Sequence, residues 1–151
     1  MVAIDKRLMD AAKEGFEIEL RTLLMYPGCD VLAKDTNSMT ALMYAAYYGQ
    51  EACLRLLIPV SDVLAKSENG VTSLMWAAGN GQEDCIKLLL AASDVLAKDL
   101  DKWTASSWAK NGGYKSVAQL IDAYALSQTE QASIEVAVNT STPRKRAAPR
   151  V

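Results

Sequence analysis

Thiol and carboxylate groups are the side chains of this sequence with the most obvious chemistry, because its 151 residues include no histidine. The commonest general base and the commonest metal ligand are therefore missing, and no nucleophile can be activated by an imidazole. The three cysteines are an odd, sparse set, unlike the dense, even framework of a small secreted domain. These thiols are the first candidates for a redox or metal site.

The spacing of the cysteines favours packing over chemistry. Cys53 and Cys85 are 32 residues apart, and Val117 follows after another 32. A position that also accepts valine is an apolar one, and cysteine often behaves as a small buried hydrophobe. On neighbouring stacked helices, ~8–10 Å apart, two thiols are beyond the ~7 Å Cα separation that a disulfide allows. We therefore predict that Cys53 and Cys85 pack in the core, and that Cys29 is partly exposed.

Two other candidate sites, a glycine-rich segment and the carboxylates, lack the residue pattern that their chemistry would require. The segment "GNGQ" at 79–82 lacks the lysine and hydroxyl residue of a phosphate-binding loop, and it follows a predicted helix rather than a strand. Its Gly81 recurs as Gly49 and Gly113, which indicates a repeated helix end. Most carboxylates recur in loops or on exposed helix faces. The sequence thus predicts a protein that is not an enzyme and that uses no cofactor, metal or small-molecule substrate.

Internal repetition explains these spacings. The pentapeptide "DVLAK" begins at Asp30, Asp62 and Asp94, and aligning the chain on it gives four copies of one unit over about 5–125. A repeat of this length is typical of a solenoid, in which each unit buries its apolar face against its neighbours.

Each unit has the pattern of two short helices and a loop. A threonine suited to cap the first helix begins three of the copies, at Thr40, Thr72 and Thr104. A glycine ends that helix, and a second helix follows with apolar residues at helical spacing, such as Cys53, Leu54 and Leu57. The return through "SDVLAKSENG" is polar, and its Asn69-Gly70 step favours a tight turn. We expect helix, turn, helix and an extended hairpin in each unit.

This combination resembles the ankyrin repeat. The threonine-led first helix, double alanine, glycine, leucine-rich second helix and "DVLAK" return match that family over most of the chain. The resemblance implies an all-α solenoid of stacked helix-turn-helix units with projecting β-hairpin loops. Met43 and Met75 replace the family's histidine and are expected to pack instead. Ser38 and Lys102 stand where Gly70 keeps the family's hairpin glycine, so those two loop tips are expected to differ in shape.

The predicted organisation is a repeat domain, 1–125, followed by a tail, 126–151. Within the domain we expect an N-terminal capping repeat, two full repeats and a C-terminal capping repeat, at about 5–34, 35–66, 67–98 and 99–125. Capping explains the polar residues at core positions of the end copies, namely Glu19, Ser106, Ser107 and Lys110. The tail has one helical stretch at about 128–138, and then a basic segment with predicted disorder after about 139.

The resemblance also implies where a partner would dock. In such a solenoid the hairpin tips and the first helices line a concave groove, and offsets from the repeat threonine indicate which positions face it. The residues predicted for protein binding are Met39, Tyr44, Tyr47, Tyr48, Val71, Trp76, Asn80, Trp103, Trp108 and Asn111. Aromatic and methionine side chains are enriched at interfaces. An alternative stays open for Tyr44, Trp76 and Trp108, whose rings could instead form a structural ladder.

The predicted function is non-catalytic binding of a partner protein, as an adaptor, scaffold or inhibitor. Alternatives are a regulatory or immunity-type inhibitor of one enzyme, and an effector delivered into a host cell, which only the family's frequent use suggests. Acidic residues outnumber basic ones before residue 126, so nucleic acid and anionic membranes are poor partners. No apolar run approaches the ~20 residues of a membrane span, and the N-terminal segment is charged. These features favour a cytoplasmic location, with a secreted effector as the alternative, and we expect a monomer.

Overall fold

A computed structural model describes residues 2–141, which form eight α-helices in four successive pairs. The helices are α1 (Ala3–Glu14), α2 (Glu17–Leu24), α3 (Ala41–Tyr48), α4 (Glu51–Leu57), α5 (Ser73–Gly79), α6 (Glu83–Leu90), α7 (Ala105–Asn111) and α8 (Lys115–Ser141). A short 3-10 turn, Ile58–Val60, follows α4. The first helices of the pairs stack in one layer and the second helices in another. The predicted all-α solenoid is confirmed.

Threonine caps begin the first helices of three pairs, as the sequence predicts. The hydroxyl oxygens of Thr40, Thr72 and Thr104 each accept a hydrogen bond, at 3.3 Å, from the amide three residues on. Met43 and Met75 follow these caps, and both side chains are buried, as expected. The Met75 sulfur also accepts from the Thr72 amide at 3.5 Å, so this methionine contributes to its own cap.

The core lies between the two layers, and both the first and the second helices of the pairs contribute buried apolar side chains to it. Leu54 and Leu57 of α4 are fully buried, and Ile86 and Leu89 repeat them in α6. Burying one such side chain stabilises the fold by about 1.5–3 kcal/mol. Because every inner repeat contributes the same stripe, the solenoid has one continuous core.

Side-chain and loop hydrogen bonds connect each repeat to the next. The Gln50 side-chain amide donates to the Lys13 carbonyl at 2.9 Å, across the first and second repeats. Between successive loops, the Glu68 amide donates to the Asn37 carbonyl at 3.0 Å. The same bond recurs one repeat later, from Leu100 to Asn69, at 3.1 Å. These bonds set the spacing of successive loops.

The loops between helix pairs are turns, and no β-strand is present within residues 2–141. In the loop at 35–39, the Asp35 amide donates to the Met39 carbonyl and the Ser38 amide donates to the Asp35 carbonyl, each at 3.0 Å. The β-hairpin strands predicted for these loops are therefore not confirmed. A two-bond turn of this kind is compact enough to stack on its neighbours.

The three loop tips share one backbone conformation. The residue before the end of each turn is left-handed, with φ of 58° at Ser38, 76° at Gly70 and 67° at Lys102. The prediction that the Ser38 and Lys102 tips differ in shape is wrong. The repeated hydrogen bonds outweigh the steric cost of a left-handed residue with a side chain.

Each end of the solenoid carries an ion pair between its two helices. Arg7 of α1 pairs with Glu19 of α2 at 2.7 Å, and Lys110 of α7 pairs with Asp122 of α8 at 3.0 Å. Interior repeats have mostly apolar side chains at the matching positions, as where Ile58 corresponds to Asp122, although Ser73 corresponds to Arg7. Exposed pairs of this kind contribute about 0–1 kcal/mol, so their main effect is to make the end faces polar.

The last helix, α8, extends well beyond the packed body. It buries Val117, Ala118 and Ile121, whereas residues 128–140 are all exposed. The helix predicted for 128–138 is thus a continuation of α8, and the predicted boundary at 125 and 126 lies inside it. The helix α8 continues to Ser141, and the disorder predicted after about 139 falls mostly on 142–151, outside the described residues. The basic residues of 142–151 lie outside the described range.

Within residues 2–141, no helix combines the length and the hydropathy that a membrane span requires.

Candidate protein-binding groove

A row of aromatic rings crosses the layer of first helices. In spatial order these rings, here called the aromatic row, are Tyr48, Tyr47, Trp76, Trp108 and Trp103. Neighbouring ring centroids are 4.8, 5.4, 5.7 and 6.2 Å apart, and the ring planes are tilted or edge-on. Aromatic pairs prefer this geometry and gain about 0.5–1.5 kcal/mol beyond area burial. The row therefore forms one connected surface over three repeats.

A glycine in α5 makes room for the middle of the row. Gly79 stands where the preceding repeat has Tyr47. A Cβ at this position would lie 2.8 Å from Cε3 of Trp108, so any larger residue would displace that ring. Asn80, the next residue, donates from its side chain to the Trp76 carbonyl at 2.8 Å. It therefore ends the helix beneath the row.

Exposure differs along the predicted groove. The two ends of the row are open to solvent, with Tyr48 44% and Trp103 39% exposed, and Asn111 is exposed as well. Tyr47, Tyr44, Trp76, Trp108 and Asn80 are partly buried. Thus the exposed side chains lie at the margins, and the middle rings serve both packing and surface.

Two residues predicted to face the groove are buried. Met39 packs with Met43 and Ala65 in a small cluster, and Val71 belongs to the main core. Both side chains therefore pack inside the fold, although Met39 also contributes to the lining of the pocket described below. Met39 and Val71, which precede Thr40 and Thr72, point inward, whereas Trp103, at the same position before Thr104, is exposed.

Carboxylates of the loops hold two of the aromatic side chains. Asp35 Oδ2 accepts a hydrogen bond from the Tyr44 hydroxyl at 2.5 Å, and Asp99 Oδ2 accepts one from Trp108 Nε1 at 2.8 Å. The hydrogen bond to Asp35, together with burial and the charges of Asp35, Tyr48 and Asp10, raises the pKa of Tyr44 to about 12. Tyr44 is therefore a fixed donor at neutral pH.

The middle repeat lacks this carboxylate. Ser67 stands where the loops on either side have Asp35 and Asp99, and its hydroxyl accepts from the Val71 amide at 3.2 Å. The corresponding aromatic residue, Trp76, has a buried Nε1 with no hydrogen-bond partner in the described part of the chain. An unsatisfied buried donor costs about 1–3 kcal/mol. The middle of the aromatic row therefore carries a local polar defect.

A pocket of about 380 Å³ opens between the second and third repeats. Its lining residues come from α3, α5 and two loops and are Asn37, Met39, Tyr44, Tyr47, Tyr48, Ser67, Glu68, Asn69 and Trp76. Glu68 is the only charged residue of this lining. Besides Met39, four of the residues predicted from the sequence for binding line this pocket, namely Tyr44, Tyr47, Tyr48 and Trp76.

Tyr44 is not part of the ring row, which bears on the structural-ladder alternative. Trp76 and Trp108 do contact each other, but the ring beyond Trp76 is that of Tyr47. Tyr44 is instead held toward its loop by Asp35. Glu68 was not predicted from the sequence as a binding residue. It lies at the loop tip and lines the pocket.

The thiols lie where the sequence predicts. Cys53 and Cys85 are buried and Cys29 is partly buried, and all three are free. Burial, with a smaller effect of nearby carboxylates, raises the pKa of each thiol, to about 11 for Cys85. Within residues 2–141, no group of three or more cysteine or carboxylate side chains could hold a metal ion.

The comparison with protein families matches what the geometry indicates. A family model of ankyrin repeats, three copies long, matches residues 8–99 and 61–132. The chain belongs to the ankyrin-repeat family. None of the curated proteins matches it significantly. Ankyrin repeats are generally modules of protein–protein interaction and are typically non-catalytic.

Proposed function

We propose that this protein acts without catalysis, as an adaptor, scaffold or inhibitor, by binding a partner protein on the aromatic row. The observation that carries the proposal is the connected row of five rings with exposed ends at Tyr48 and Trp103. Large rigid rings bury much area and lose few rotamers on binding, so they dominate many interfaces.

The aromatic row combines fixed and accessible rings. Trp76 and Trp108 pack against the core, and Asp99 fixes the Trp108 indole. A surface that is ordered before binding loses little conformational entropy when a partner docks. The exposed rings at the ends can then supply new contact area.

The test is the affinity of a partner recovered from the source lysate for single alanine variants. We expect Tyr48→Ala and Trp103→Ala each to weaken binding by about 30-fold, which corresponds to ~2 kcal/mol. Tyr26→Ala is the matched control, because Tyr26 is an exposed tyrosine, 61% accessible, outside the row. The melting temperatures of all three variants should stay close to that of the wild type.

Two results would count against this function. One is unchanged affinity in both row variants, which would mean that the partner docks elsewhere. The other is a weakening in Tyr26→Ala as large as that in Tyr48→Ala, which would show no preference for the groove.

A further inference from the structure

We propose that the pocket between the second and third repeats binds a lysine or arginine side chain from a basic segment of the partner. This inference rests on the proposed function and names the chemistry that the same groove would recognise. It depends on four features of the described residues: the ring faces, the charge of the lining, the surrounding charges and the size of the pocket.

The walls of the pocket are mostly aromatic. Tyr44, Tyr47, Tyr48 and Trp76 lie on helices of two successive repeats and converge on one space. The faces of such rings are electronegative and attract cations, with Trp and Tyr the strongest partners among the side chains. A leucine or valine would also fit ring walls, so the rings alone do not select a cation.

One of these rings already holds a cation. The Lys13 ammonium, at the end of α1, lies 5.5 Å from the centroid of the Tyr48 ring. This distance is within the ~6 Å range of a cation–π contact. The contact shows that the Tyr48 ring, at this margin of the pocket, accepts a cation of the chain itself.

The lining carries a negative charge and no positive one. Glu68 is exposed at the loop tip, and its backbone amide is fixed by the Asn37 carbonyl at 3.0 Å. A carboxylate held at the rim can pair with an ammonium or guanidinium group whose stem lies on the rings. An anionic side chain would be repelled by Glu68. An apolar side chain would partly remove Glu68 from water without providing a compensating interaction.

The charges beyond the lining have the same sign. Asp35 bonds to Tyr44, and Asp10 of α1 acts electrostatically on the same tyrosine. Over residues 1–141 the chain has all 18 of its acidic residues but only 12 of its 16 basic ones. This excess steers cationic segments toward the body and speeds their association. Lys13 opposes it locally, at one margin only.

The size of the pocket suits one long side chain. A volume of about 380 Å³ is at the low end of ligand pockets, too small for a folded element but adequate for one extended side chain and its flanking backbone. Lysine and arginine carry apolar stems that pack along rings while the charged group stays at the rim. An arginine guanidinium can in addition stack flat on a ring.

The experiment uses hexa-arginine, hexa-lysine, hexa-glutamate and hexa-serine peptides added to the full chain. The three tryptophan indole N–H signals in NMR spectra report where binding occurs. We expect the two basic peptides to shift the Trp76 signal more than the Trp103 signal, and the other two peptides to shift neither. The affinity should fall as salt is added.

Single variants separate the pocket from general attraction to an acidic surface. Glu68→Gln removes the charge at the rim, and Tyr48→Leu keeps the apolar contact but removes the ring face. Each should weaken binding of hexa-arginine by about threefold to tenfold. Glu130→Gln is the matched control, since Glu130 is an exposed carboxylate on α8, and it should bind like the wild type. Glu68 and Tyr48 are exposed, so both test variants are expected to fold.

The inference is overturned if neither basic peptide shifts the Trp76 signal, or if Glu68→Gln and Tyr48→Leu both bind hexa-arginine as tightly as the wild type. Failure of the proposed function is a separate result. If the peptides bind the pocket but the recovered partner ignores Tyr48→Ala and Trp103→Ala, the cation site stands and the proposed docking surface does not. If the partner needs the row and the peptides do not bind, only the cation site fails.

Discussion

Replacing Ser67 with aspartate should stabilise this protein, although the change adds a negative charge to an acidic surface. The loops on both sides show what an aspartate does at this position. Asp99 accepts from the Asp101 and Trp103 amides at 3.0 and 2.9 Å with one oxygen, and from Trp108 Nε1 at 2.8 Å with the other. In Ser67→Asp, Trp76 Nε1 would gain the acceptor that it lacks.

The expected gain follows from these bonds. A hydrogen bond to a charged acceptor contributes about 1.5–3 kcal/mol, and burying the new carboxylate offsets part of that. The environment tolerates such a group, because Asp99 is 6% exposed in its own loop. Repulsion from Glu68 is weak across solvent. We therefore expect Ser67→Asp to raise the free energy of unfolding by about 1–2 kcal/mol, or the melting temperature by about 3–8 °C.

Urea unfolding, followed by circular dichroism and by tryptophan fluorescence, measures the effect. The two probes should report one transition before a free energy is assigned. Ser67→Asn is the neutral control, and it should gain less because its acceptor is uncharged. In a Trp76→Phe background the gain should shrink, since the indole donor is gone. A neutral or destabilising Ser67→Asp, or an equal gain without the Trp76 indole, would refute the reasoning.

Two further predictions concern titratable groups. In the native protein Cys29 should react first with an alkylating reagent, and Cys53 and Cys85 should resist it, because the reagent cannot reach their buried thiols, whereas Cys29 is only partly buried; equal rates by mass spectrometry would contradict this. Burial acts to raise the pKa of Asp35, but hydrogen bonds from Tyr44 and two backbone amides outweigh it and lower the pKa below the ordinary 3.8. The stabilising effect of the Asp35 carboxylate is therefore present above that value and is lost as the pH falls through the lowered pKa. In Asp35→Asn the free energy of unfolding should fall less steeply as the pH is lowered. An unchanged acid dependence would show that other carboxylates dominate it.

Features that depend on neighbours in the chain could be predicted from the sequence. The caps at Thr40, Thr72 and Thr104 need only an amide three residues away. Burial of Cys53 and Cys85 could be predicted because the same repeat position accepts valine, which shows that its surroundings are apolar. In both cases the same local environment occurs in several copies of the repeat, so the copies could be compared with one another.

Features that depend on contacts across repeats could not be predicted from the sequence. The offset from the threonine placed Tyr44 beside Trp76, but Asp35 turns the Tyr44 side chain toward its own loop and Tyr47 contacts Trp76 instead. Gly79 decides where Trp108 lies, and this effect appears only when two helices are stacked. The inward direction of Met39 likewise depends on how the loop returns, which the pattern of apolar residues does not reveal.

The ion pairs at the ends of the solenoid have a consequence for how the protein opens. Inner repeats pack against a neighbour on both sides, whereas each end repeat has a single neighbour and carries an exposed ion pair, Arg7–Glu19 or Lys110–Asp122. In a chain of stacked units, local unfolding costs least where a unit has a single neighbour. Hydrogen exchange should therefore proceed from both ends inward, and amides of α3 and α5 should be the last to exchange. The pocket lies between these two helices, so it would keep its shape while the ends fray.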